Sequence, residues 1–80
     1  MKKLNYGLIN SLRSINARDR KKSIENIVKE IQTLEKKDQE LIESYIDYID
    51  GIKDDPDEDI RKTIIKGNER IQKHINTLMD

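Results

Sequence analysis

Cysteine is absent from the 80-residue sequence, which excludes disulfides and thiolate metal sites. Tryptophan and phenylalanine are absent as well, so three tyrosines are the only aromatic residues. A core must then be filled by aliphatic side chains, and fourteen isoleucines and six leucines supply most of them. A single histidine, His74, rules out a histidine-rich metal cluster. No apolar run approaches the roughly 20 residues that span a bilayer. Met1-Lys2-Lys3 looks like the charged start of a signal peptide, but Asn5, Asn10, Ser11 and Arg13 interrupt the apolar run such a peptide needs. The expected location is the cytoplasm, with no membrane partner.

The residues present point to helices. Charged residues make up 40% and hydrophobic residues 34%, a balance that leans toward disorder. Zero net charge and a regular apolar spacing argue for folding instead. The length sets a single domain, 1–80, and a domain of this size buries only about 60% of its unfolded surface. Helices of a second copy or of another protein would supply further burial.

In the first segment Leu4, Leu8, Leu12 and Ile15 recur at steps of four, four and three, with Ile9 beside them. That spacing predicts a helix over about 3–16. The polar, basic stretch from Asn16 to Lys22 reads as a loop, and Ser23 as a possible cap of the next helix. Ile24, Ile27, Ile31, Leu34, Asp38, Leu41, Tyr45, Tyr48 and Ile52 then step by three and four without interruption. This heptad seam predicts one helix over about 22–50, broken in chemistry only at Asp38, where a polar layer or slight bend is expected. Tyr45 and Tyr48 are expected in the seam with their hydroxyls in water.

"GIKDDPDEDIRKT", Gly51 to Thr63, holds five acidic residues and the only proline. Gly51 is placed to end one helix. Asp55 is expected to cap the next, with Pro56 at its first position and Glu58 closing a capping box. The third helix is expected over about 56–79, with Ile60, Ile64, Gly67, Ile71, His74 or Ile75, and Leu78 facing inward. Gly67 either permits a close helix approach or weakens the middle of that helix. The expected fold is all-α: a small antiparallel three-helix bundle, or a long helical hairpin with a short N-terminal helix, in monomeric or dimeric form.

Charge is segregated along the chain. Met1 to Lys22 carries seven basic residues and one acidic residue, whereas Ser23 to Asp50 carries three and eight. Gly51 to Ile60 has one basic and five acidic residues, and the remainder is net basic. Internal pairing of the basic and acidic segments is one reading. Another is external: Arg13, Arg18, Arg20, Lys21 and Lys22 form a candidate phosphate-contact patch. No helix-turn-helix, zinc or aromatic RNA-binding signature accompanies it. In a third reading the acids of Glu40, Glu43, Asp47, Asp50, Asp54, Asp55, Asp57, Glu58 and Asp59 occupy a basic groove on a partner.

Enzymatic chemistry finds little footing. Asp55, Asp57 and Asp59 match the first alternating ligands of an EF-hand loop. Ile60 replaces the required glycine, however, and Lys66 stands where the bidentate glutamate belongs. His74 fits a boundary or capping role better than a catalytic one. The expectation is a non-enzymatic, cofactor-free protein-interaction module, regulatory or assembling in role, that packs helices stoichiometrically with itself or with another helical protein. Its candidate contacts are Ile31, Leu34, Leu41, Tyr45 and Tyr48. The alternatives are a small nucleic-acid-binding regulator using the basic patch, and the acidic-surface protein.

Overall fold

Residues 2–79 are described by the computed structural model, and every regular element among them is helical. The first, α1, is only Tyr6–Ser11. The Asn5 side chain caps it by accepting the Leu8 N–H at 3.2 Å. It stops four residues short of Ile15, and Ile15 is fully exposed rather than part of the apolar stripe. The expected helix over 3–16 is therefore shorter at both ends.

The second helix, α2, spans Ala17–Gln32. The stretch expected as a loop forms its first turns, because Asn16 is an effective cap: its side-chain oxygen accepts the Arg18 N–H at 2.8 Å. Ser23 is consequently not a cap. It is buried inside α2, and its hydroxyl donates to the Leu8 carbonyl of α1. Ile24, Ile27, Val28 and Ile31 form the buried stripe of α2.

The single helix expected over 22–50 is in fact two helices. Beyond Thr33 the backbone opens, and Glu35 is extended (φ −107°, ψ 175°). A short 3₁₀ turn at Lys36–Asp38 leads into α3, Gln39–Asp50. Asp38 explains the break. Its carboxylate accepts the Glu35 N–H at 3.0 Å, so it restarts a helix rather than forming a polar layer or bend within one. Heptad spacing survives such a break, because residues on both sides still face the same core.

The last helix, α4, is Glu58–Met79. Its cap is Asp57, not Asp55: the Asp57 carboxylate accepts the N–H groups of Asp59 at 2.8 Å and Ile60 at 3.4 Å. Pro56 lies outside the helix and Glu58 is its first residue, so the expected capping box does not form. Gly51 ends α3 with an ordinary right-handed φ of −62°. Tight turns then continue to Asp55, as the Asp55 N–H reaches the Ile52 carbonyl at 3.1 Å.

Cross-helix bonds set the directions. Ser23 meets Leu8 and Lys2 meets Thr33, so α1 runs antiparallel to α2. Arg20 meets Asp55 and His74 meets Leu34, so α4 runs parallel to α2. The helices thus alternate up, down, up, down around α2, which contacts each of the other three. The most extensive of these contacts is that of α2 with α4. Gly67 lies in that contact: a Cβ added there would sit 2.9 Å from Val28 Cγ2, so the bare backbone lets the helices approach without displacing that side chain. No described helix is long and apolar enough to cross a membrane.

Candidate functional site

The charge segregation is partly resolved within the fold. Arg20, near the start of α2, reaches the turn before α4. Its Nε lies 2.8 Å from Asp55 Oδ2 and its Nη2 3.1 Å from Oδ1, a two-pronged pair whose geometry matches a carboxylate. Its Nη1 also donates to the carbonyls of Ser14 at 2.9 Å and Ile15 at 3.0 Å. Asp55 is largely buried and also accepts the Asp57 N–H at 2.9 Å. The hydrogen bonds from Arg20 hold the Asp55 carboxyl below the usual range despite burial, which pushes the other way. The Asp55 carbonyl takes a second cation, Arg61 Nη1, at 2.7 Å. The next residue of α2, Lys21, pairs with Asp59 at 2.9 Å, and its ammonium pKa is raised by that hydrogen bond.

Two of the five candidate phosphate contacts, Arg20 and Lys21, are thus engaged by carboxylates. Arg13, Arg18 and Lys22 remain exposed with no ion pair among the described residues. The EF-hand-like aspartates are also divided: Asp55 faces Arg20, Asp57 caps its own helix, and Asp59 faces Lys21. Their carboxylates point to three different partners rather than to one centre.

Three of the seam candidates are deep in the chain's own core. Ile31, Leu34 and Tyr45 are buried, with Ile31 and Tyr45 at 0% exposure. The Tyr45 hydroxyl is not in water; it accepts the Asn5 N–H at 2.8 Å and anchors the chain before α1. Burial raises its pKa. These three side chains have no surface to offer a partner. Leu41 and Tyr48 are half-buried on the α1 side of α3, where Tyr48 lines a small hollow with Ile9, Leu12 and Ile52. His74 occupies a boundary position, with Nε2 2.8 Å from the Leu34 carbonyl just past α2. The ring nitrogen must carry its proton to make that bond.

The surface with the clearest capacity to bind lies elsewhere. The seam between α3 and α4 stays open at the end away from their connecting turn. There a groove of about 290 Å³ is walled by Ile42 and Ile46 of α3 and by Ile75, Leu78 and Met79 of α4. Lys36, Gln39 and Glu43 complete it. Met79 is 65% exposed. Along the facing edge of α3, Gln39, Glu43, Ile46 and Asp50 succeed one another at helical steps. All four charged residues of α3 are acidic: Glu40, Glu43, Asp47 and Asp50. The groove escaped the sequence pattern because Ile46 and Met79 lie off the heptad seam. The signal was their position one step beside it, and only the α4 approach angle shows that the two flanks face each other.

Comparison with known proteins found no matching family model, no similar curated protein and no similar solved structure, so the functional reading rests on this geometry.

Proposed function

We propose that the chain is a small non-enzymatic protein-interaction module whose α3–α4 groove docks an amphipathic helix carrying basic residues beside its apolar face. The observation that carries this reading is the groove itself, apolar along both walls, with Lys36 and Glu43 in its lining and only acidic charges along α3. A helix laid between α3 and α4 would bury its apolar positions against Ile42, Ile46, Ile75 and Leu78 and set cations beside the acidic edge. The charge match would speed encounter and fix orientation, while the apolar contact would supply most of the affinity. Binding would be stoichiometric, as in assembly, adaptor action or inhibition, with a cytoplasmic setting. This replaces Ile31, Leu34 and Tyr45 as contacts with residues that have surface to give. A nucleic-acid role is the weaker proposal, since Arg20 and Lys21 already hold carboxylates and α3 would repel phosphates.

The test is titration of the methyl-labelled protein with a synthetic amphipathic helical peptide of leucine and lysine. The expected result is saturable, one-to-one movement of the Ile42, Ile46, Ile75 and Met79 methyl signals. The matching leucine and glutamate peptide should bind at least about tenfold more weakly. Absence of saturable shifts at these methyls, or equal binding of both peptides, would overturn the reading.

A further inference from the structure

The edge of α4 that turns away from the groove, toward α2, is basic. Lys62, Lys66, Arg70 and Lys73 follow one another along it at steps of four, four and three, so they stand in one row. Arg18, Lys21, Glu25 and Lys29 form the neighbouring row of the parallel helix α2. Between the rows lies a hollow of about 280 Å³, lined by Lys21, Lys62, Lys66 and Arg70 with Val28 and Gly67. Arg70 reaches across to α2, where its Nη2 donates to Gln32 Oε1 at 2.9 Å. Two acids also line the hollow, Glu25 and Asp59. Asp59 is taken by Lys21 at 2.9 Å, and Lys62 pairs with Glu58 at 3.5 Å. Arg18, Lys29, Lys66, Arg70 and Lys73 are exposed and hold no ion pair among the described residues. The unpaired acids beside them are Glu25 and, one step outward on α4, Glu69, so the face keeps an excess of positive charge in a chain of zero net charge.

The chemistry of this face selects its ligand. The exposed apolar residues Tyr6, Ile15, Ile65 and Met79 all stand outside the two rows. A protein partner would therefore find no apolar anchor to bury, unstacked bases no ring to stack on, and a bilayer no side chain to take up. What the rows offer is charge alone. That suits duplex nucleic acid, which carries one phosphate charge per roughly 1.7 Å and releases counterions when lysine and arginine replace them. We infer that the α2–α4 face binds the phosphate backbone of a duplex, without reading its bases, through Lys66, Arg70 and Lys73 of α4 and Lys29 of α2. The objections to the Arg13–Lys22 patch do not reach these four residues. None of them holds a carboxylate, and α3 meets α4 along its other edge. The acids of α3 are thus a helix width away, about 10 Å, against a screening length of about 8 Å at physiological salt. The face and the α3–α4 groove are separate, so the inference goes beyond the docking reading and does not depend on it.

Fluorescence anisotropy of a labelled mixed-sequence DNA duplex, titrated with the full chain between about 50 and 200 mM salt, tests it. Four phosphate contacts predict that log affinity falls against log salt with a slope of about −3 to −4. A second duplex of unrelated sequence should bind within about twofold, since backbone contacts carry no sequence information. Lys66→Gln with Arg70→Gln and Lys73→Gln should weaken binding at least about tenfold at the lowest salt and flatten the slope by roughly two to three. All three positions are exposed, so the amide spectrum should stay that of wild type. If losing the Arg70–Gln32 contact disturbs it, Lys66→Gln with Lys73→Gln serves instead, with a slope change of roughly two. Adding Glu43→Lys with Asp50→Lys to the weakened variant more than returns the lost charge, but on α3, and should not restore binding. No binding of either duplex at the lowest salt, or undiminished binding by the α4 variant, would overturn the inference. So would recovery through the α3 lysines, which would make net charge rather than this face responsible. Polyglutamate or anionic vesicles held as tightly as the duplex would overturn it as well, by assigning the face to an acidic protein or a membrane.

Discussion

The two flanks of α4 are made of the same residue types yet end in opposite states. On its α2 side, Gly67 brings the backbones together, and Ile24, Val28, Ile64 and Ile71 are almost wholly buried. On its α3 side, Ile75, Leu78 and Met79 keep part of their surface in water and the helices stand apart. Isoleucine content does not separate a core from a surface. What separates them is whether another helix covers the side chains, and Gly67 against Val28 marks the covered flank.

Equal truncations on the two flanks should therefore cost unequal amounts. Ile24→Ala should destabilise by about 4 kcal/mol, since it empties a fully enclosed site. Ile46→Ala in the groove should cost about 1 kcal/mol or less, because its side chain is already partly wet. Urea unfolding of both variants checks this, and comparable losses would mean that the groove is part of the core. Gly67→Leu attacks the covered flank. Its side chain must displace Val28, at an expected cost of about 1–3 kcal/mol, and shifted signals in α4 should accompany the loss. Tyr45→Phe should cost about 1 kcal/mol, the net value of the hydrogen bond from Asn5, and loosen the N-terminal strap in amide exchange.

Stability should also depend on pH. The Asp55 carboxyl is held below its unfolded value, chiefly by hydrogen bonds from Arg20. A group with a depressed folded pKa contributes its stability above the unfolded pKa, about 3.9 for aspartate, and loses it as pH falls through the lower folded value. Asp55→Asn should thus be less stable than wild type at neutral pH, and the gap should close on acidification below about pH 4. Denaturant curves from neutral to strongly acidic pH read this directly; a gap independent of pH would mean that the ion pair contributes only packing. The smallest expected change in stability belongs to Glu43→Lys with Asp50→Lys, within about 0.5 kcal/mol for exposed positions. That near-neutrality is what makes the variant informative for binding.

Much of the fold was legible in the sequence. The all-helical class, the helix over most of 56–79 and the inward positions of Ile60, Ile64, Gly67 and Ile71 follow from apolar spacing. The departures share one origin. Asp38, Asn16 and Asp57 are side chains that start helices by bonding backbone N–H groups, and several neighbouring candidates compete for that task. Periodicity carries through a cap without registering it, so a single seam runs across two helices. The candidate site was barely legible. Ile31, Leu34 and Tyr45 had the correct pattern for an interface because an internal core has the same pattern.

By itself the sequence determined that this chain forms helices, which residues their apolar stripes contain, and where acids and bases concentrate. Those properties depend on spacings of three and four residues, which a local reading captures. Tertiary structure alone decided that α4 lies parallel to α2, that Arg20 and Lys21 belong to Asp55 and Asp59, and that α3 and α4 part into a groove. These are consequences of which surfaces meet. One such meeting is Gly67 against Val28, two residues far apart in the chain, a closeness that no local pattern encodes.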